Sequence, residues 1–353
     1  MQDLSLSKKN NGMSFKNAVA NTGFYVLLCK VRVMLFPNKY VRAPGNLFQQ
    51  RRQDRPTSII LKDEIMLGMI EFLVKKYKEE FREIEVKYFG NALLFDHFEK
   101  IEQEKSKGNA VMEEELLLTI LTREKFFRKE ASILIKENKI KQILILGSGL
   151  DTFSARKKKY TDRYGVKFFE VDRKEALDLK KTLLIQLGIE CNAKYIAKNY
   201  LSRDYLDELK SNGFDTHVHT LVVWGGNTMY LTKDQVQDVM RTLKEAFTQS
   251  SLYITFDYLH PDAVDINLAK ETDLLNGGNL LQKMLEGMQR EFGINFKAGF
   301  SPQEMISLSD KLGFSLWKNR QITAGDHVKR IGVEQDPVYT EQSYSYATLT
   351  TNH

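Results

Sequence analysis

Ile143-Leu144-Ile145-Leu146-Gly147-Ser148-Gly149-Leu150-Asp151-Thr152 is a run of β-forming residues that ends on two glycines and passes into a charged, helix-compatible segment. That order reads as a buried strand, a tight turn and a helix start. Glycine removes the side chain where the backbone must turn sharply or where a ligand must approach it closely. A GxG step also serves ordinary strand-to-helix turns, so the surrounding sequence has to decide between the two.

Downstream of Lys139, strand-like and helix-like segments alternate. Strands are expected at 142–146, 166–171, 194–197, 220–224, 252–257 and 314–317, with a last one near 329–333. Helices are expected after Thr152 and at 174–187, 205–211 and 233–247. Such alternation with apolar strands predicts a parallel sheet covered on both faces. Thr232 and Gln235 form a capping box, and Val236, Val239, Met240, Leu243 and Phe247 make one apolar stripe. Ser301-Pro302-Gln303-Glu304 is a second strong helix start, and Gly313 is its stop. Residues 262–298 read as a helical insertion, with Asn276-Gly277-Gly278-Asn279 between its pieces and Met284 and Met288 on the second. The Ser/Thr/Tyr-rich tail after Gln342 is expected to fray.

Upstream, residues 1–20 are polar and expected to be loosely ordered. From Asn21 to about Ile135 the periodicity is helical, with long helices over 57–81, capped by Thr57, and over 113–138. The chain therefore divides into a helical, substrate-facing region at 1–138 and an α/β region at 139–353.

Composition narrows the class. The net charge of +6, from 52 basic against 46 acidic residues, is too mild to argue for nucleic acid. Two cysteines, Cys29 and Cys191, give no disulfide framework, which suits a reducing, cytoplasmic setting. The six histidines show no ligand spacing, so no metal is assigned. The apolar run from Phe24 to Phe36 is interrupted by Lys30 and Arg32 and does not reach a membrane span.

An adenine-containing cofactor is the usual ligand of a glycine turn such as 147–149. A dinucleotide fold wants a third glycine where this chain has Thr152, which disfavours an oxidoreductase. Asp172 ends the second strand 25 residues after Gly147, where a carboxylate can accept hydrogen bonds from ribose hydroxyls. Asp172 is also placed to cap the helix that follows.

Three motifs in order, Ile145 to Thr152 followed by Arg156, Phe169-Glu170-Val171-Asp172 with Lys180, and Trp224-Gly225-Gly226-Asn227-Thr228-Met229-Tyr230-Leu231, resemble the leucine carboxyl methyltransferase family, which includes bacterial O-methyltransferases. The resemblance runs from about residue 115 to 260. It implies a Rossmann-like class I methyltransferase fold, α/β with a seven-stranded, mostly parallel sheet and an N-terminal helical region. The implied cofactor is S-adenosyl-L-methionine, and the implied acceptor is a small molecule or a carboxylate. Arg123 would pair with the methionine carboxylate, Gly147 and Gly149 would admit the cofactor to the backbone, and Asp172 would take the ribose. Asn199 and Tyr200 would meet the adenine edge, and Tyr230 would stand near the methyl-transfer site.

Three departures stand out. The family's Thr after the arginine is Glu124 here, and its later Asp is Arg128. The glutamate that in the family holds the cofactor's ammonium is Gly225. Its loss costs about 1–3 kcal/mol, unless Asp257 or a water compensates. The alternative is therefore a weak or inactive binding protein on the same fold. A phenol or alcohol acceptor needs a general base, for which His217, His219 and Asp257 are the candidates, whereas a carboxylate needs none.

Overall fold

The stretch Gln142–Leu146 forms β1, and every residue of it is buried. Its side chains alternate between two cores, as a strand's pleat requires. Ile143 and Ile145 face one cluster with Leu221, Val223 and Phe168, while Leu144 and Leu146 face another with Val222, Trp224 and Phe256. The computed structural model describes residues 22–36, 63–100, 110–137, 139–265, 267, 286, 295–322 and 344–351.

The other strands are β2 (Lys167–Asp172), β3 (Lys194–Ala197), β4 (Thr220–Trp224), β5 (Leu252–Leu259), β6 (Ser315–Ile322) and β7 (Tyr344–Thr350). They form one seven-stranded sheet in the order β3-β2-β1-β4-β5-β7-β6. The pairs from β3 through β5 are parallel, and β7 runs antiparallel to both of its neighbours. The expected mostly parallel, seven-stranded sheet is what forms. The chain direction across the sheet reverses between β1 and β4, so their carboxyl ends frame a crevice, the standard place for a ligand in such sheets.

Among the described residues the helices are α1 (Thr22–Leu35), α2 (Glu64–Lys76), α3 (Lys78–Phe89), α4 (Leu93–Phe98), α5 (Ala110–Lys136), α6 (Phe153–Arg156), α7 (Lys158–Tyr164), α8 (Lys174–Gln186), α9 (Asp204–Ser211), α10 (Lys233–Ala246) and α11 (Pro302–Leu312). The capping boxes expected at Thr232 and Ser301 both form. On α5, Phe127, Ala131, Leu134 and Ile135 recur at helical spacing and lie on the sheet with Ile143, Ile145 and Val223. Helices α1, α2 and α3 share a further cluster with Leu150, Ala155, Leu183 and Leu184, so the helices ahead of β1 are packed onto the sheet's own helices. No helix among the described residues is long and apolar enough to cross a membrane.

Three expectations need correction. The long helix expected over 57–81 breaks at Tyr77, which ends α2 and begins α3. The first half buries Met66, Met69, Ile70, Leu73 and Val74, the second Phe81 and Phe89. The cap of α2 is Asp63, whose side chain accepts from Met66 N. The tail after Gln342 does not fray at Tyr344–Thr350, because β7 is inserted between β5 and β6, with Tyr346 and Leu349 buried on opposite faces. A polar-looking alternation hides a strand whose every residue has a register partner on both neighbours. Residues 1–20, Thr57, the strand expected near 329–333, Gln342, and most of the 262–298 insertion with Met284 and Met288 lie outside the described residues.

The insertion of β7 has a measurable cost of disruption. Leu349→Ala should lower stability in urea denaturation by about 2–5 kcal/mol, the range for a buried leucine; a frayed tail would give a change below about 0.5 kcal/mol.

Candidate functional site

At the crevice between β1 and β4, Gly147 N donates to Val171 O at 2.9 Å, which draws the ends of β1 and β2 together. Gly147 has φ +64°, a conformation that a side chain disfavours. A Cβ there would also stand 2.6 Å from Asn227 Nδ2. Asn227 fills that space to some purpose: its Nδ2 donates to Gly225 O at 2.7 Å and to Leu146 O at 3.3 Å, joining the ends of β4 and β1. Gly149 N donates to Asp172 Oδ2 at 2.6 Å, while Asp172 Oδ1 accepts from Arg173 N at 2.6 Å. Asp172 thus serves the glycine turn, and the N-cap position of α8 belongs to Arg173, which makes no side-chain cap bond.

These residues line a cleft of about 290 Å³. The six expected cofactor contacts, Arg123, Gly147, Gly149, Asp172, Asn199 and Tyr200, are on its wall, and so is the cofactor position occupied by Gly225. Asn199 uses its Oδ1 to accept from Leu201 N at 3.0 Å. Tyr200 packs edge-on to Trp224, with 6.1 Å between ring centres, and burial pushes its hydroxyl up to about 12.

The two expected catalytic residues stand behind the wall and do not line the cleft. Asp257 is fully buried and is not on the cleft wall. Its Oδ1 accepts from Gly226 N at 2.6 Å and its Oδ2 from Arg123 Nη1 at 3.1 Å. Burial pushes this carboxyl up, and Arg123 and the Gly226 N–H pull it back. With both oxygens engaged and no face on the cleft, Asp257 orients Arg123. Tyr230 packs on Phe296, with ring centres 5.5 Å apart, and is likewise off the wall. His219 precedes β4, and its Nδ1 accepts from Ser251 N; His217 pairs with Asp215. Both sit at the amino end of β4, whereas the cleft opens at the carboxyl ends, so neither is a base for this site.

The missing carboxylate at Gly225 has a physical explanation. A Cβ at Gly225 would overlap Phe127 Cε2 and come within 3.1 Å of Cδ2. The ring, from α5, occupies the volume in which a larger residue would start. Restoring a glutamate at 225 therefore requires the Phe127 ring to move aside.

Sequence reasoning missed a charged group on the cleft wall formed by Lys30, Glu124, Arg128 and Asp151. Glu124 pairs with Lys30 Nζ at 2.7 Å and with Arg128 Nη2 at 3.0 Å. The two departures from the family at 124 and 128 are therefore partners of each other, at i,i+4 on α5. Their spacing was the available signal. Burial pushes the Glu124 carboxyl up, but Lys30, Arg128 and Arg123 outweigh it and hold it well below the usual range.

The profile of leucine carboxyl methyltransferases matches residues 62–244, just over half of the chain. The chain belongs to the leucine carboxyl methyltransferase family. A provisionally named S-adenosyl-L-methionine-dependent methyltransferase of Saccharopolyspora erythraea is 26% identical over 188 residues, 53% of this chain and 59% of the relative. A second, of Mycolicibacterium gilvum and with the same provisional name, is 31% identical over 113 residues, 32% of this chain and 36% of the relative. The chain thus spans under two thirds of the length of each curated relative it matches. A solved structure, a provisionally named methyltransferase of Thermobifida fusca, is similar over 66% of this chain and 82% of its own, at 18% identity and a TM-score of 0.46. The sheet of this family member has the Rossmann-like class I order, with the glycine turn after β1 and an acid at the end of β2.

Two outcomes test this geometry. Gly225→Ala should lower stability by about 1–3 kcal/mol through overpacking, and Phe127→Leu in the same chain should recover most of it, as followed by denaturant melts. Because the folded Glu124 value is depressed, its stabilisation is present above the ordinary glutamate value of 4.5 and is lost as pH falls below it. Between about pH 5 and about pH 3 the wild type should therefore lose more stability than Glu124→Gln.

Proposed function

We propose that this family member is an S-adenosylmethionine-dependent O-methyltransferase whose acceptor is a carboxylate, with Arg123 and the α/β region from 139 onward holding the cofactor and α1, α2 and α5 facing the acceptor. The observation that carries the reading is the donor set of the cleft. At one side the Asp172 carboxylate lies against the glycine turn, its Oδ2 2.6 Å from Gly149 N, and suits vicinal hydroxyls. At another the Arg123 guanidinium, oriented by Asp257, suits a carboxylate. Asn199 and Tyr200 beside β3 offer an amide and an aromatic ring to a purine. These groups fit the three chemically distinct parts of the cofactor.

When bound, S-adenosylmethionine supplies a methyl group on a sulfonium, open to in-line displacement. The protein's work is alignment and exclusion of water. Val26 and Leu27 of α1, Met66 of α2 and Phe127 of α5 give the cleft an apolar wall. Lys30 and Arg128, on the same wall, suit an anionic acceptor. Among the described lining residues there is no histidine. A carboxylate acceptor, already nucleophilic at neutral pH, needs no base, whereas an alcohol would have to draw on a carboxylate of the wall.

A second reading, a cofactor-binding protein without transfer, is favoured by the Phe127–Gly225 contact, which leaves the ammonium without the family's glutamate. Calorimetry with S-adenosylhomocysteine and transfer of labelled methyl to carboxylate acceptors separate the two. The first reading expects binding and transfer, with affinity about tenfold weaker in Arg123→Lys and in Asp172→Asn. Binding with no transfer to any carboxylate favours the second. No binding at millimolar cofactor sinks both.

A further inference from the structure

Asp63 has a fully buried side chain and is outside the cleft wall. Four neighbours nevertheless converge on it. Its Oδ1 accepts from Met66 N at 3.1 Å. Its Oδ2 accepts from Thr152 Oγ1 at 2.6 Å, lies 2.7 Å from Arg156 Nε and 3.8 Å from Arg128 Nη2. Arg156 Nε also donates to Thr152 Oγ1 at 2.9 Å. Met66 and Arg128 are themselves on the cleft wall, as is the whole run from Gly147 to Asp151 that Thr152 terminates.

We infer that Asp63 is a positioning residue of the cofactor cleft: through Thr152 it fixes the glycine turn in its receiving shape, and so makes cofactor affinity depend on α2. This rests on the cofactor reading above and adds to it a residue 84 positions before the turn. Thr152 stands where a dinucleotide fold has its third glycine, and glycine has no group to offer Asp63. The hydroxyl is buried, with 0% exposure of the residue, and it both donates to Asp63 and accepts from Arg156. Two glycines leave the preceding turn with many backbone states, and a fixed point at Thr152 removes most of them before a ligand arrives. Binding then need not supply that ordering. The same carboxylate begins α2 and faces Arg128, so the turn, α2 and α5 share one electrostatic hub. Coupling of this kind is reciprocal, so a ligand in the cleft steadies α2 as much as α2 steadies the cleft.

The test measures S-adenosylhomocysteine affinity by calorimetry in the full chain, with a melting curve for each variant. Thr152→Val keeps the shape and removes the hydroxyl; it should weaken binding about tenfold. Thr152→Ser keeps the hydroxyl and should bind within about twofold of wild type. Asp63→Asn should weaken binding alone and do so less in a Thr152→Val background, because the two act through one contact. In wild type the ligand should slow hydrogen exchange of α2 amides, and in Thr152→Val it should not. A Thr152→Val protein that melts lower yet binds like wild type would show a merely structural contact and overturn the inference. Equal weakening in Thr152→Val and Thr152→Ser would do the same. If Asp63→Asn does not fold, the valine–serine pair decides the matter by itself. A wild-type chain that binds no S-adenosylhomocysteine removes the cofactor reading and this inference together; a wild type that binds, with an unaffected valine variant, removes this inference alone.

Discussion

A charge taken out of water must meet an opposite charge, and losing one partner of a buried pair is more costly than never having made it. In this chain that constraint governs how the helices ahead of β1 are placed. Lys30 of α1 reaches Glu124 of α5, Arg32 of α1 reaches Glu85 of α3 at 2.8 Å, and Asp63 reaches Arg156 beside the glycine turn. Arg123 of α5 reaches Asp257 of β5. Glu85 is further held by the backbone N–H groups of Leu94 and Phe95 at the start of α4. Each pair joins elements distant in sequence, and apolar packing alone would leave their relative rotation less well specified. The cleft wall is where several of these pairs converge, so its electrostatics and its architecture are the same set of contacts.

The sheet was largely legible because its signals are local. β1, β3 and β4 have the very bounds that the apolar runs predict, and the capped helices α10 and α11 begin at their boxes. The six positions that the resemblance assigns to the cofactor, together with Gly225, line one cleft. What escaped was long-range. Lys30 and Arg32 entered only as charges that break an apolar run, and nothing nearby in sequence names Glu124 or Glu85 as their partners. β7 was hidden because Tyr344-Ser345-Tyr346-Ala347-Thr348-Leu349-Thr350 has the composition of a loose tail. Its strand character is supplied by two neighbours far away in the chain.

The end of β4 shows a motif residue changing together with its surroundings. Taken alone, Gly225 is a deletion of a useful carboxylate. Beside Phe127 it is half of a packing solution that has spread an aromatic ring over the same wall. Glu124 and Arg128 are likewise two departures that form one ion pair. Function therefore has to be judged on the reorganised wall, on which carboxylates stand at 124, 151 and 172.

The place of β7 has a consequence for how the molecule assembles. It follows β6 in sequence but separates β6 from β5 in space, so neither of those strands has its final neighbour until the chain has turned back and threaded between them. Asp257, which orients Arg123, sits opposite Tyr346 in that late pairing. A nascent chain that already carries β1 to β5 can form the crevice between β1 and β4 while the β5 edge is still open. Such an edge invites pairing with other chains, and closing it depends on contacts of high sequence separation, which form slowly. The pairing that lies opposite Asp257 is thus among the last that the sheet can make.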